Sequence, residues 1–289
     1  MPNRNPNGPS QHTILPANRA HYDIIEDFFT QDLRIHRHLD WYRTLDWLGS
    51  QPFLIEVNND RIEALLCAPL ENNTIAWIRA FAVRKRRPLG TTWRVLLEEI
   101  IRHLNENKVT KLAAIAMHPW FENLLSGCQF QNRQDIVVLE WQGDLPSSKG
   151  INADVDIRLM QDQDLPQVMK IDHQAFPPLW QNSLGELSKA FKQKGISTVA
   201  MKNKEIVGYQ ISTTMTIYAH LARLAVLPEH QRQGIAYTLV YDLLFRINQH
   251  GFWRVTVNTQ SDNIASLKLY DRLDFKRTGE KIPVYELQL

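Results

Sequence analysis

Residues 220–236 read HLARLAVLPEHQRQGIA, and this stretch decides how the rest of the chain is read. Leu221 to Val226 is an apolar run broken by Arg223, which predicts a strand, and Pro228 predicts a turn after it. From Ala236 the apolar residues Leu239, Val240, Leu243, Leu244 and Ile247 recur at the spacing of one helical face. A helix that begins near Gly234 turns its unpaired N–H groups and the positive end of its dipole back into the loop. Gly234 has no side chain and Ala236 only a methyl, so a bulky anion such as a pyrophosphate can reach the backbone there.

The pattern QxxGxA in Gln231, Gly234 and Ala236, between an apolar strand and an amphipathic helix, resembles the pyrophosphate-binding motif of the GNAT N-acetyltransferases. Three fixed positions are weak evidence alone, but the context is specific. A second strand, Trp253 to Val257, leads into SDNIASLKLYDRLDF, which resembles the family's second signature at Asn263, Leu269, Tyr270 and Phe275. Asp274 stands where the family usually has Gly, a departure at a turn that Asp tolerates.

Working outward, the chain repeats itself. WIRAFAV, Trp77 to Val83, matches HLARLAV, with Val83 and Val226 at an offset of 143. Trp93, Leu96, Leu97, Ile100, Ile101 and Leu104 repeat the helical spacing, Lys111 to Ala116 gives a second strand, and LLSGCQF ends at Phe130 as LYDRLDF ends at Phe275. In the first half, His21 to Leu33 and Trp41 to Leu48 read as helices, Pro52–Val57 and Arg61–Leu66 as a hairpin, and Asn73 to Val83 as a strand region. In the second half, Val155 to Leu159 reads as a strand, Asp162 to Gln174 and Ser183 to Gly195 as helices with Asp162 as a cap, and Ser197–Lys202 and Ile206–Met215 as a hairpin. The expected fold is therefore α/β, α+β layered: two tandem GNAT-like domains, each a mixed, largely antiparallel sheet flanked by helices. The expected boundaries are a disordered tail over 1–17, a degenerate domain over 18–141, a linker over 142–153 and the catalytic domain over 154–289.

Length and composition agree with two ordinary domains. The chain has 289 residues, 44% hydrophobic and 22% charged, with 33 basic against 31 acidic residues, so no overall field favours nucleic acid or an anionic membrane. Only Cys67 and Cys128 occur, which argues against a disulfide framework or a zinc site and for buried thiols in a reducing compartment. The opening MPNRNPNGPSQ has no apolar core of a signal peptide, and the expectation is a cytoplasmic protein with no metal and no membrane partner. Arg84-Lys85-Arg86-Arg87 reads first as a solvated basic turn and second as a phosphate attractor.

The resemblance implies acetyl-CoA as cofactor and a primary amine as acceptor, either a protein N-terminus or a small molecule. The arrangement resembles tandem GNAT proteins such as mycothiol synthase, in which one repeat is expected to catalyse. Pro88 removes a donor from the first half's loop, and Leu125 falls where Tyr270 lies, so the second half is the expected catalyst. There the resemblance implies that Leu224, Val226, Gln231, Arg232, Gln233, Gly234, Ile235 and Ala236 hold the cofactor, with Asn263 beside its pantetheine or diphosphate. A backbone N–H near Val226 would stabilise the thioester oxygen, worth roughly 3 kcal/mol. Tyr270 would protonate the departing thiolate. His220 would take the amine's proton, in a segment resembling ribosomal-protein alanine acetyltransferases, which tend to have a glutamate there; a strand histidine with no catalytic task is the competing reading. Trp180, in Pro177-Pro178-Leu179-Trp180, lies where the family binds its acceptor, or else packs as part of a rigid connector. The alternative from another class is a non-catalytic protein that binds or senses acyl-CoA.

Overall fold

Short apolar strands bounded by turn residues, alternating with amphipathic helices, dictate sheets covered by helices. The computed structural model describes residues 12–70, 74–214 and 218–289. The chain divides into two units, Met1–Arg133 with Pro283–Leu289, and Gln134–Ile282. The sequence placed the division at 142–153; the observed division falls earlier, and the last seven residues return to the first unit.

The first unit runs β1 (Thr13–Pro16), α1 (Tyr22–Phe29), β2 (Leu33–Arg37), β3 (Phe53–Asn58), β4 (Arg61–Cys67), β5 (Ile75–Trp77), β6 (Ala80–Arg84), α2 (Leu89–Glu106), β7 (Lys111–Ile115) and α3 (Pro119–Ser126). One sheet has the order β1-β3-β4-β6-β2, and β5 pairs in parallel with β7. Val284 to Gln288 adds to the other side of β7, antiparallel. Strand alternation sorts the core: Leu54, Leu66, Phe81 and Val83 meet Trp93, Leu96 and Ile100 of α2, while Phe53, Ile55, Leu65 and Ala82 meet Ile25 and Phe28 of α1.

The second unit takes in β8 (Gln131–Gln142) from Gln134 onward, then β9 (Asp156–Leu159), α4 (Leu165–Ala175), α5 (Leu184–Phe191), β10 (Ser197–Lys202), β11 (Glu205–Thr214), β12 (Ala219–Val226), α6 (Ile235–Gln249), β13 (Arg254–Gln260), α7 (Ile264–Arg272) and β14 (Lys276–Gln288) up to Ile282. Its strand order is β14-β8-β13-β12-β11-β10-β9. The α6 face foreseen from its spacing is buried: Val240, Leu243, Leu244 and Ile247 pack on Leu221, Val255, Val257 and Trp141. Both units are thus mixed, mostly antiparallel sheets flanked by helices, with a parallel pair in each, β5 with β7 and β12 with β13.

Register makes the repeat concrete. Ile75 faces Lys111 as Ala219 faces Val255, an offset of 144 on both strands. The hairpin bulges after Glu56 and after Ala200, and it turns through left-handed Asn59-Asp60 and Asn203-Lys204, again 144 apart.

Several expectations change. Residues 1–11, Asn73 and Met215 lie outside the described residues, but Thr13–Pro16 of the expected tail is a strand on Leu54–Val57. The expected helix to Leu33 stops at Phe29, and Leu33–Arg37 instead pairs with Ala80–Arg84. Trp41–Leu48 yields only a 3-10 turn at Thr44–Trp47. Asp162 begins another such turn, and Asp164 accepts the Gln161 N–H and two bonds from Arg158. The expected linker is not slack: Ser147 O accepts from Tyr237 Oη, and Asn152 bonds Gln233 O and Thr238 Oγ1 on the first turn of α6. The basic run is spent on carboxylates, with Arg84 and Arg86 on Glu63, Lys85 on Asp32 and Arg87 on Glu56.

Candidate active site

β12 carries the site because its two edges are treated differently. On one side β11 accompanies it from Ala219 to Val226, with a bulge that leaves Ala222 unmatched. On the other side the parallel register with β13 covers only Ala219–Leu221 against Val255–Val257. Beyond that point β13 continues to Gln260 paired with β8, and β12 continues to Val226 paired with β11, so the two strands splay. Leu224 and Val226, assigned to the cofactor from sequence, are on the splayed part. Leu224 packs toward α6 and Val226 is buried beside Ile235 and Leu239.

The slot leads to the loop before α6. After a 3-10 turn at Pro228–His230, the chain passes through left-handed Arg232 (φ 60°) and Gly234 (φ 81°) into the helix. Gln231 Nε2 donates to Val226 O at 3.1 Å, and the Gln231 N–H turns back to Pro228 O, so this residue folds the loop and its N–H is not free for a ligand. Among the described residues, the N–H groups of Arg232, Gln233, Gly234, Ile235 and Ala236 meet no acceptor in the chain. Gln233 is held on both sides, its Oε1 by Lys202 Nζ and its carbonyl by Asn152. A side chain at Gly234 would come within 3.2 Å of Gly150 O. The Arg232 guanidinium makes no bond among the described residues and is exposed, a cation beside five free donors. This arrangement fits a diphosphate.

The remaining candidates flank the splay. His220 and Thr256 share a hydrogen bond of 2.9 Å between Nδ1 and the Thr256 hydroxyl, and burial lowers the His220 pKa against the opposing pull of the Thr256 backbone. Tyr270 on α7 is 4% exposed against Phe275, its hydroxyl meets no partner among the described residues, and burial raises its pKa well above 10. Asn263 caps α7, its Oδ1 accepting the Ser266 N–H, which leaves its amide nitrogen for any ligand. The Trp180 carbonyl accepts from Arg223 Nη2 at 2.5 Å.

The arginine that interrupts the key strand belongs to a group that the sequence reading missed. Asp172, fully buried on α4, accepts from Arg223 Nε and Nη2 (2.7 and 2.9 Å), Tyr209 Oη (2.5 Å) and the Asn182 N–H (2.8 Å). The signal was available: Asp172 continues the apolar row Leu165, Val168, and Arg223 stands in an apolar strand, two opposite charges on two faces expected to be buried.

Residues 165–275 match the model of the Acetyltransferase (GNAT) family. They form a GNAT acetyltransferase domain. Over 112 residues the chain is 26% identical to a [Ribosomal protein bS18]-alanine N-acetyltransferase of Haemophilus influenzae, covering 39% of this chain and 75% of that one. Over 86 residues it is 30% identical to N-alpha-acetyltransferase 30 of Schizosaccharomyces pombe, covering 28% of this chain and 57% of the relative. In fold it is similar to a tandem GNAT protein from the clavulanic acid biosynthesis pathway, with a TM-score of 0.64 at 13% identity, over 96% of this chain and 98% of that one. The GNAT domain thus contains the strand, the loop and α7, and the tandem fold accounts for both halves.

The first unit differs at the position that corresponds to this slot. Its β6, counterpart of the splayed part of β12, has β4 on one edge and β2 on the other, Leu33–Arg37 against Ala80–Arg84. The slot position is filled by a strand. At an offset of 144, β2 corresponds to Pro177–Gln181, where two prolines without N–H groups cannot extend a ladder. Among the described residues, no helix is long and apolar enough to cross a membrane.

Proposed function

We propose that the GNAT domain, within residues 154–289, transfers an acetyl group from acetyl-CoA to a primary amine, on a protein N-terminus or a small molecule. The observation that carries this reading is the open edge of β12 running into a loop with five free N–H groups. When bound, acetyl-CoA supplies the activated thioester. Arg232–Ala236 would hold its diphosphate, with the Arg232 side chain as counter-charge, and the backbone of Leu224 and Val226 would line the splay. Asn263 would contribute through its amide nitrogen. His220 would accept the proton of the ammonium, and its lowered pKa supports a neutral, proton-accepting ring at pH 7. Tyr270 would donate a proton to the thiolate, and its raised pKa keeps the phenol protonated. Trp180 would border the acceptor, at the turn that Arg223 holds. The first unit is proposed as non-catalytic, supported by the strand in its slot and by Pro88 at the start of α2. The reading includes a cytoplasmic location.

The test is calorimetry with acetyl-CoA followed by a labelled-acetyl screen over amines and free-amino-terminal peptides. Binding with transfer to at least one acceptor is expected. Binding without transfer to any would replace the enzyme by an acyl-CoA sensor, and no binding refutes both.

A further inference from the structure

The Asp172–Arg223 pair has a geometry that neither folding nor phosphate binding requires. A buried ion pair adds little net stability over an apolar pair of the same volume, because desolvation of both charges offsets their attraction. In some proteins such a pair fixes one arrangement. Among the described residues, the bonds it makes outside the pair end on the turn after α4 or on Tyr209 of β11. The Arg223 guanidinium lies 3.6 Å over the Phe176 ring and donates to Trp180 O, while Asp172 takes the Asn182 N–H. Phe176, Trp180 and Asn182 are the start, middle and end of the turn between α4 and α5. Gln181 adds to the same closure, with Nε2 donating to the carbonyls of His173 and Phe176.

The position of the clamp matters as much as its bonds. Arg223 follows the unmatched Ala222 and so stands two residues beyond the end of the β12 register with β13, where the pairing with β11 resumes. On that strand the α6-facing residues include Ala219 and Leu221, which puts His220 on the opposite face, the one to which Arg223 reaches toward α4. The turn is therefore tied to the strand at the opening of the splay, on the His220 side. Pro177 and Pro178 prevent it from pairing with β12, and the ion pair supplies the attachment that a ladder would otherwise give.

We infer that Arg223, locked on Asp172, is a positioning residue that sets the Phe176–Asn182 turn as one wall of the acceptor site, and thereby governs affinity for the amine rather than for acetyl-CoA. This rests on the acetyl-transfer reading. The test uses the full chain with Arg223→Lys, which keeps the charge and loses the two-pronged grip, and with Tyr209→Phe, which removes a single hydroxyl from Asp172. The probe acceptor is a hexapeptide with a free N-terminal alanine. For Arg223→Lys, the KM for the peptide rises at least tenfold while the KM for acetyl-CoA stays within twofold, and amide exchange over 176–182 quickens at least tenfold with α6 unchanged. Tyr209→Phe shifts the same quantities in the same direction by less. A peptide KM within twofold of wild type, or an acetyl-CoA KM that rises in step, overturns the assignment. If the wild type binds acetyl-CoA but transfers nothing to the peptide, peptide acetylation fails as a reading; the clamp then stands or falls on the exchange data, and unchanged exchange over 176–182 overturns it.

Discussion

Replacing Tyr270 by Phe separates chemistry from packing. The ring is buried on α7 against Phe275, and its hydroxyl has no partner among the described residues, so the substitution breaks no hydrogen bond and leaves no buried group unsatisfied. Stability should change by no more than about 0.5 kcal/mol, as for a change outside the usual destabilising mechanisms. If the phenol protonates the departing thiolate, turnover should fall by a factor in the general-acid range, about 10² to 10⁴. Burial raises the phenol above its ordinary value near 10, which keeps it protonated but makes it a poorer donor to a thiolate whose thiol has a pKa of about 8.5. The lower end is therefore expected, about 100-fold in kcat, or about 2.7 kcal/mol in the barrier. Steady-state kinetics with a saturating amine, a thermal melt and an acetyl-CoA titration read the three quantities separately. A kcat within twofold of wild type refutes the assignment. So does a loss of kcat accompanied by an equal loss of acetyl-CoA affinity, because the hydroxyl would then be a binding group.

Four further outcomes follow from the geometry. Gly234→Ala forces a left-handed φ of 81° on a side chain and brings a Cβ within 3.2 Å of Gly150 O, so acetyl-CoA affinity should fall about 5- to 10-fold by calorimetry, corresponding to the cost of about 1 kcal/mol for that conformation; unchanged affinity would exclude the loop as the cradle. Native mass spectrometry should find one acetyl-CoA per chain, and a second would contradict the slot filled by β2. Since burial lowers the His220 pKa, the acid limb of kcat should lie below pH 6.5 and vanish in His220→Gln; a limb that persists assigns the proton to another group. His36, fully buried on Phe121, has its pKa lowered to about 3 by burial and then by His118, against a smaller upward pull from the Ile78 backbone. Between pH 6.5 and about 3 the unfolded chain binds a proton that the folded chain refuses, so stability falls with pH there, by about 2 kcal/mol at pH 5. His36→Phe should remove that share of acid sensitivity in melts at pH 7 and pH 5, and an undiminished pH dependence would show that other groups cause it.

Local chemistry determined a large part of this protein. The α6 face, the turn at Gly234, the strands either side of it and the two-fold repetition were legible in residues 220–275 and their counterparts, because helical spacing, glycine placement and strand alternation act over a few neighbours. What the tertiary structure decided was the fate of edges and charges. Leu33 reads as the end of a helix and Arg34 to Arg37 as no element at all, because Arg34 and His36 disguise a strand; pairing with β6 makes it one, and that pairing fills the first unit's slot. The same position in the second unit carries Pro177 and Pro178, and the edge stays open. Likewise Asp172 and Arg223 lie 51 residues apart, too far for any local pattern to join, and only the packing of α4 on the sheet brings them together. Short-range preferences specify elements; which edge is covered and which buried charge finds its partner depends on contacts between distant residues, and in this chain those contacts separate the open slot from the filled one.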